Sequence, residues 1–161
     1  LATRHRVFHL LAISVAVFVL DQASKYYFLQ IVDLPIRAPL HVNEYFTLVM
    51  AWNRGVSFSM FSTIGGWMPA ILTAAAIIIS GLLARLCLKS ALRLERIGYA
   101  MVIGGALGNA VDRMRFGAVA DFFYVHVGTL GWPAFNIADM AICTGVGLLL
   151  LAMLRAPKVP R

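Results

Sequence analysis

Gly104-Gly-Ala-Leu-Gly-Asn-Ala-Val-Asp-Arg113 is the stretch on which the fold of this chain turns. On a helix its glycines form a small-residue surface, including a Gly-xxx-Gly spacing, that lets a second helix approach closely inside a membrane. Asn109, Asp112 and Arg113 stand at i, i+3 and i+4, so they share a face. Ionisable groups in an apolar span are costly, and where they occur they mark function. The stretch reads as a membrane helix that packs tightly on its neighbours and presents polar groups to the bundle interior. Asp112 beside Arg113 suggests an ion pair closing the bundle, and the planar fork of Arg113 suits a carbonyl or ester oxygen of a ligand.

The flanking sequence extends this reading. The chain has 161 residues, 61% hydrophobic and 13% charged, with mean hydropathy +0.83, too apolar for a soluble globule of one domain. Four stretches, at about 7–28, 67–88, 97–114 and 137–154, reach the roughly 20 helical residues that cross a hydrocarbon core. The expected fold is an all-α integral membrane protein, a four-transmembrane-helix bundle forming one domain over 1–161, with a small β-rich extracytoplasmic element at about 29–66. In that element residues 45–52 are aromatic and β-branched, Asn53-Arg54-Gly55 offers turn chemistry, and 56–61 resumes the apolar pattern, which predicts a hairpin resting on the membrane. The first span is read as retained, because Asp21 and Lys25 are followed by apolar and aromatic residues instead of a small-residue cleavage site.

Basic residues cluster at the ends of the apolar runs: Arg4 and Arg6, then Arg85, Lys89, Arg93 and Arg96, then Arg155, Lys158 and Arg161. By the positive-inside rule both termini and the loop between spans two and three face the cytoplasm. The net charge of +7 is thus a topology signal, and no nucleic-acid partner is expected. Cys87 and Cys143 fall in different spans and are read as reduced, buried packing residues. Without a CxxC or HExxH pattern, neither a metal nor a cofactor is expected. Ser57 and Ser59, with His41 or His126 as base, lack a nucleophile elbow and are read as locally bonded groups.

The polar residues of the spans share one depth. Helical rise puts Asp21 about 21 Å above Val7, Asn109 and Asp112 about 20 and 24 Å above Arg96, and Asp139 about 24 Å above Arg155. All lie in the outer part of a core roughly 30 Å thick. Short side chains cannot snorkel far, so a water-filled pocket opening outward accounts for the coincidence. Asp21 and Lys25, at i and i+4 with the acid first, form a favourable pair that supports such a site.

Two acids border this pocket, Asp121 in Val119-Ala-Asp-Phe-Phe123 and Asp139 in Phe135-Asn-Ile-Ala-Asp139. The segment between them, with Gly128, Gly131 and Pro133, can fold back so that the carboxyls meet. Like charges a few ångströms apart cannot both ionise cheaply, so such a pair shares a proton and titrates as a unit. One member takes a proton from attacking water while the other hydrogen-bonds the amide carbonyl and then protonates the leaving amine. Asn53, Asn109, Arg113 and Asn136 are placed to orient a substrate or stabilise oxyanion charge. Two other readings stand beside this one. Asp139 can cap its helix next to Asn136, and Asp21, Asp112 and Asp139 can form a proton relay, which the acid-free inner halves of the spans disfavour.

The ordered motifs Asp21-Gln-Ala-Ser-Lys25, Trp52-Asn-Arg-Gly-Val-Ser-Phe58, Gly104 to Arg113, Val119 to Phe123 and Phe135 to Asp139 resemble those of bacterial lipoprotein signal peptidases, the signal peptidase II family of membrane aspartic endopeptidases. The resemblance implies that Asp121 and Asp139 are catalytic and that Asn53, Gly55, Asn109, Arg113 and Asn136 bind substrate, with Asp21, Lys25 and Asp112 in support. It implies cleavage of prolipoproteins before a diacylglyceryl-modified cysteine, inhibition by globomycin-like cyclic lipopeptides, and a monomer in the lipid of the bacterial cytoplasmic (inner) membrane with its active site near the outer leaflet. Val56 and Ser57 depart from the family's common Asn-x-Gly-Ala-Ala-Phe, which bears on substrate or inhibitor preference.

Overall fold

In hydrocarbon every backbone N–H and C=O must find a partner within the protein, which restricts spanning segments to helices or closed barrels. The computed structural model of the chain describes residues 2–55 and 66–155. In order these form α1 (Ala2–Tyr26), continued by a π-helical turn (Tyr27–Ile31), then α2 (Leu34–Arg37), β1 (Leu40–Asn43), β2 (Phe46–Asn53), α3 (Met68–Lys89), α4 (Arg93–Phe116), β3 (Val119–Val127), β4 (Leu130–Gly131) and α5 (Ile137–Arg155).

Burial runs opposite to that of a soluble protein. Phe8, Leu11, Val15, Ile78, Leu82, Leu150 and Met153 are exposed, while Asp21, Lys25, Asn109 and Asp112 are buried. Three helical segments, Arg6–Ile31, Met68–Lys89 and Ile137–Arg155, are long and apolar enough to cross a membrane. The remaining long helix, α4, is not among them, because Arg93, Glu95, Arg96, Asp112, Arg113 and Arg115 punctuate it. Its position explains how it tolerates them. α4 packs against α1, α3 and α5, so its polar face meets protein and no continuous apolar surface toward lipid is required.

Close approach around α4 rests on its glycines, which serve two seams. A Cβ at Gly104 would stand 2.6 Å from the Ser14 carbonyl oxygen of α1, and one at Gly105 would stand 2.5 Å from the Ala138 carbonyl oxygen of α5. Gly98 of α4 and Gly145 of α5 face each other, and a Cβ on either would lie 2.8 or 2.7 Å from the other's carbonyl oxygen. Ser14 Oγ donates to the Ala100 carbonyl at 2.9 Å, pinning the α1 seam. Of the two cysteines, both free, Cys87 is buried and Cys143 is exposed. The expectation that Cys143 is buried is thus corrected: it lies on the outward side of α5.

The sheet is antiparallel in the order β1-β2-β3-β4. Only half of it comes from the segment expected to be β-rich. β3 lies in the connection between α4 and α5 and pairs with β2 in the register Asn53↔Val119 and Ala51↔Asp121. Val119, Ala120, Asp121 and Phe122 are all buried, so this strand lacks the alternation by which a half-exposed strand is recognised. The expected second hairpin arm, 56–61, including Val56 and Ser57, lies outside the described residues. β2 instead has β1 and β3 as neighbours. Phe122 anchors the sheet to α1's extension, its ring centroid 4.5 Å from that of Phe28.

Gly105→Ala should therefore lower the thermal unfolding midpoint of the detergent-solubilised protein, since overpacking against backbone costs about 1–3 kcal/mol. Gly81→Ala, where a Cβ meets nothing within 4 Å, should leave the midpoint unchanged or raise it. Equal effects of the two changes would contradict the packing account.

Candidate active site

Gly108 is small so that Asp21 can enter: a Cβ there would run into the Asp21 carboxylate. Asp21 is fully buried, and its Oδ1 accepts the Ala138 N–H of α5 at 3.0 Å. Its Oδ2 lies 2.8 Å from Lys25 Nζ. The same ammonium reaches Asp112 Oδ2 at 2.7 Å and donates to Asn109 Oδ1 at 3.1 Å. Lys25 is 3% exposed, so it does not snorkel to water, and its three donors serve two carboxylates and an amide. The expected Asp112–Arg113 ion pair is replaced by the Lys25–Asp112 pair. Asp112 also accepts from Gln22 Nε2 at 3.0 Å and from the Ala120 N–H at 3.3 Å. Arg113 turns away and donates to the Asn109 carbonyl at 3.3 Å.

Gln22 was given no role by sequence reasoning, although it bridges Asp21, the Gly108 carbonyl and Asp112. The available signal was an amide beside Asp21 in an otherwise apolar run.

Asn136 joins the two bordering acids. It is fully buried, its Nδ2 donates to Asp121 Oδ1, and its backbone N–H donates to Asp139 Oδ2 at 3.1 Å. The first of these bonds is 2.6 Å long. In return Asn136 Oδ1 accepts the Asp139 N–H at 3.0 Å, a reciprocal cap at the start of α5. Capping and convergence are therefore compatible here, because Asp139 does one without being withdrawn from the other. Asn109 Nδ2 donates to Asp139 Oδ1 at 2.9 Å, while Asn136 Nδ2 also reaches Asn109 Oδ1 at 3.2 Å.

Asp121 sits on β3 and is 2% exposed. Burial, followed by the negative charge of Asp139, pushes its carboxyl up to about 6, against the nearby amides of Asn53 and Asn136. Asn53 lies at the exposed end of β2, the strand paired with that of Asp121, and its Oδ1 accepts the Gly55 N–H at 2.8 Å. Gly55 has φ +82, and a Cβ there would strike the Leu72 side chain of α3. Its place in the site is the turn that aims Asn53.

Asp21, Lys25, Asn109, Asp112, Asp121, Asn136 and Asp139 thus belong to one hydrogen-bonded assembly, with Arg113 and Asn53 at its edge. The buried Arg113 Nε has no partner among the described residues. Beside Arg113 a groove of about 440 Å³ runs between α3 and α4, lined by Ala70, Thr73, Ala74 and Ile77. His41 Nδ1 and His126 Nε2 both contact Thr47 Oγ1, at 3.1 and 2.9 Å, knitting three strands together. Ser57 and Ser59 lie outside the described residues. No group of three metal-ligating side chains occurs among the described residues.

Comparison with known proteins places the chain in a family. The family described as signal peptidase (SPase) II matches residues 13–155. A lipoprotein signal peptidase of Azoarcus sp. (strain BH72) is 45% identical over 149 residues, covering 92% of this chain and 84% of that one. One from Beijerinckia indica is 42% identical over 136 residues, covering 83% and 80%. Two bacterial membrane enzymes solved by the in meso method share the fold. The first has TM-score 0.77 and 25% identity over 94% of this chain and 92% of the other. The second has TM-score 0.77 and 27% identity over 91% and 93%. With the family match running from α1 to the end of α5 across three membrane-competent helices, this chain belongs to the signal peptidase II family of multi-pass membrane peptidases.

Proposed function

We propose that this chain is an aspartic endopeptidase that removes the signal peptide from prolipoproteins by hydrolysing the bond before the diacylglyceryl-modified cysteine, with Asp121 and Asp139 activating water. The observation that carries the reading is Asn136, which bonds both carboxylates at once, one through its side-chain amide and one through its backbone N–H. Asp139 takes a proton from water as the water oxygen attacks the amide carbon. Protonated Asp121 hydrogen-bonds the carbonyl oxygen and then passes its proton to the departing nitrogen as the C–N bond breaks. The pair is left with one proton, as it began, and neither cofactor nor metal takes part.

Arg113 and Asn53, at the rim, are suited to hold substrate carbonyls, with Arg113's unpartnered Nε as a ready donor. The α3–α4 groove is suited to the apolar part of the substrate. In this scheme the chain works as a monomer in the bacterial inner membrane, with both termini cytoplasmic, the four long helices spanning the bilayer, and the sheet and dyad at the outer leaflet, where the lipidated cysteine lies. Globomycin-like cyclic lipopeptides would occupy the same pocket.

Asp121→Asn and Asp139→Asn should each lower cleavage of a diacylglyceryl-modified prolipoprotein in lipid by about 10²- to 10⁴-fold, with thermal unfolding showing that both remain folded. Full activity in either folded variant would exclude the dyad.

pH separates the roles further. Because the mechanism needs the proton that Asp121 loses near pH 6, kcat/KM should fall about tenfold per pH unit above that point. Stability has a matching sign. The folded-state value is raised from 3.8, so the folded protein loses stability as pH rises from about 4 to about 6 and bears a buried ionised carboxylate above that. Asp121→Asn should then raise stability at pH 8, by up to about 3 kcal/mol, and the gain should shrink toward pH 4. A pH-independent difference would contradict this assignment.

A further inference from the structure

The seam between α1 and α4 is polar at one end, apolar along the rest, and used by none of the chemistry above. At the C-terminal end of α1 a cleft of about 310 Å³ is bordered by Tyr26, Gln30, Arg115 and Phe116, with the Lys25–Asp112 ion pair as its floor. Along the same two helices lies a groove of about 370 Å³, lined by Leu11, Val15 and Phe18 of α1 and Ile103 and Leu107 of α4, with Ala84 of α3 beside them. Their lining residues succeed one another along both helices. Phe18, Gln22 and Tyr26 recur every four residues on α1, as Ile103, Leu107, Val111 and Arg115 do on α4, so each row follows one side of its helix. From Val15 to Tyr26 the rise is about 16 Å, close to half of a hydrocarbon core roughly 30 Å thick.

Among the described residues the polar end offers one cation outside any ion pair. All seven acidic side chains lie among the described residues, and both ion pairs there belong to Lys25, so that among those residues Arg115 has no carboxylate partner. Its guanidinium stands 5.0 Å over the Phe116 ring. The floor has no charge to spare for it, because Asp112 is already taken by Gln22, Lys25 and the Ala120 N–H. Tyr26, Tyr27, Trp52 and Phe116 are exposed around this level, as aromatic residues are at a membrane–water boundary. A guanidinium matched to two oxygens is the protein group best suited to a phosphodiester.

The geometry points to a binding site for one membrane glycerophospholipid on the α1–α4 seam, with its phosphate on Arg115, its headgroup against Tyr26 and Gln30, and one acyl chain laid along Val15, Phe18, Ile103 and Leu107. On α4 this row lies roughly opposite Asn109 and Arg113, so the lipid sits behind the peptidase site. It is separate from the lipid of the proposed substrate, whose diacylglyceryl group carries no phosphate.

The test is binding, so it does not depend on the peptidase reading. The full chain, delipidated in detergent, is titrated with dioleoylphosphatidylglycerol or with dioleoylglycerol, and the bound lipid is read by native mass spectrometry. Wild type should hold one phospholipid. Arg115→Gln should weaken it about tenfold or more while leaving dioleoylglycerol unaffected, and Val15→Trp, at an exposed position on the groove, should weaken both. Equal phospholipid affinity in wild type and Arg115→Gln would overturn the site, as would dioleoylglycerol binding wild type as tightly as the phospholipid.

Discussion

A single buried ammonium organises this molecule. Lys25 Nζ sits among Asp21, Asp112 and Asn109, all of them buried. Moving a lone ammonium into such surroundings costs several kcal/mol, and the cluster is tolerable because each charged group in it has partners. On this physics the ions add register more than net stability. Lys25 and Asp21 belong to α1, Asp112 and Asn109 to α4, and Asp21 also holds the first turn of α5 through Ala138 N–H. Advancing α1 by one helical turn would carry Lys25 about 5.4 Å away from α4's acceptors, leaving carboxylates unpaired in the interior. The glycines complete the constraint, since Gly108 leaves room for Asp21 and Gly105 brings Ala138 against α4.

From Lys25 the order passes outward through amides whose orientation is not free. An ammonium only donates, so Asn109 must turn its oxygen toward Lys25 and its NH₂ toward Asp139. Asn136 must likewise turn its NH₂ toward Asp121 and the Asn109 oxygen, with its own oxygen accepting the Asp139 N–H. Groups held in this way would need little rearrangement in the proposed mechanism, in which charge shifts between the two carboxylates, and that is the condition under which fixed dipoles assist a reaction most.

The sequence was most legible where cost was highest. Charged and amide residues inside apolar runs have few explanations, and depth counting alone gathered Asp21, Asn109, Asp112 and Asp139. Four long helices fall on the four apolar stretches, but the charged α4 shows why apolarity is a weaker guide for a helix enclosed by others. Pairing was less legible. Asp112 precedes Arg113 in the chain yet bonds Lys25, eighty-seven positions away, because adjacent residues on a helix point about 100° apart. β3 was hidden for a different reason: its first four residues are buried on both faces, so the period-2 signal vanishes. The turn at Gly55 was legible from its residue types, whereas Gln22 became meaningful only once Asp112 was brought across from another helix.

A membrane hydrolase faces a conflict that the position of Asp112 resolves. In the proposed mechanism water must reach the carboxylates, which favours an open sheet, but the two acids must keep their spacing, which favours rigid helices. Asp121 comes from the sheet and Asp139 from a helix, so any drift of β3 against the bundle would separate them. Asp112 Oδ2 prevents that drift by accepting both Lys25 Nζ and the N–H of Ala120, the residue before Asp121. The oxygen that fixes the helix register therefore also fixes the strand. The same tie fixes the first residues of β3, next to Asp121, on the opposite side of β2 from the edge strand β1.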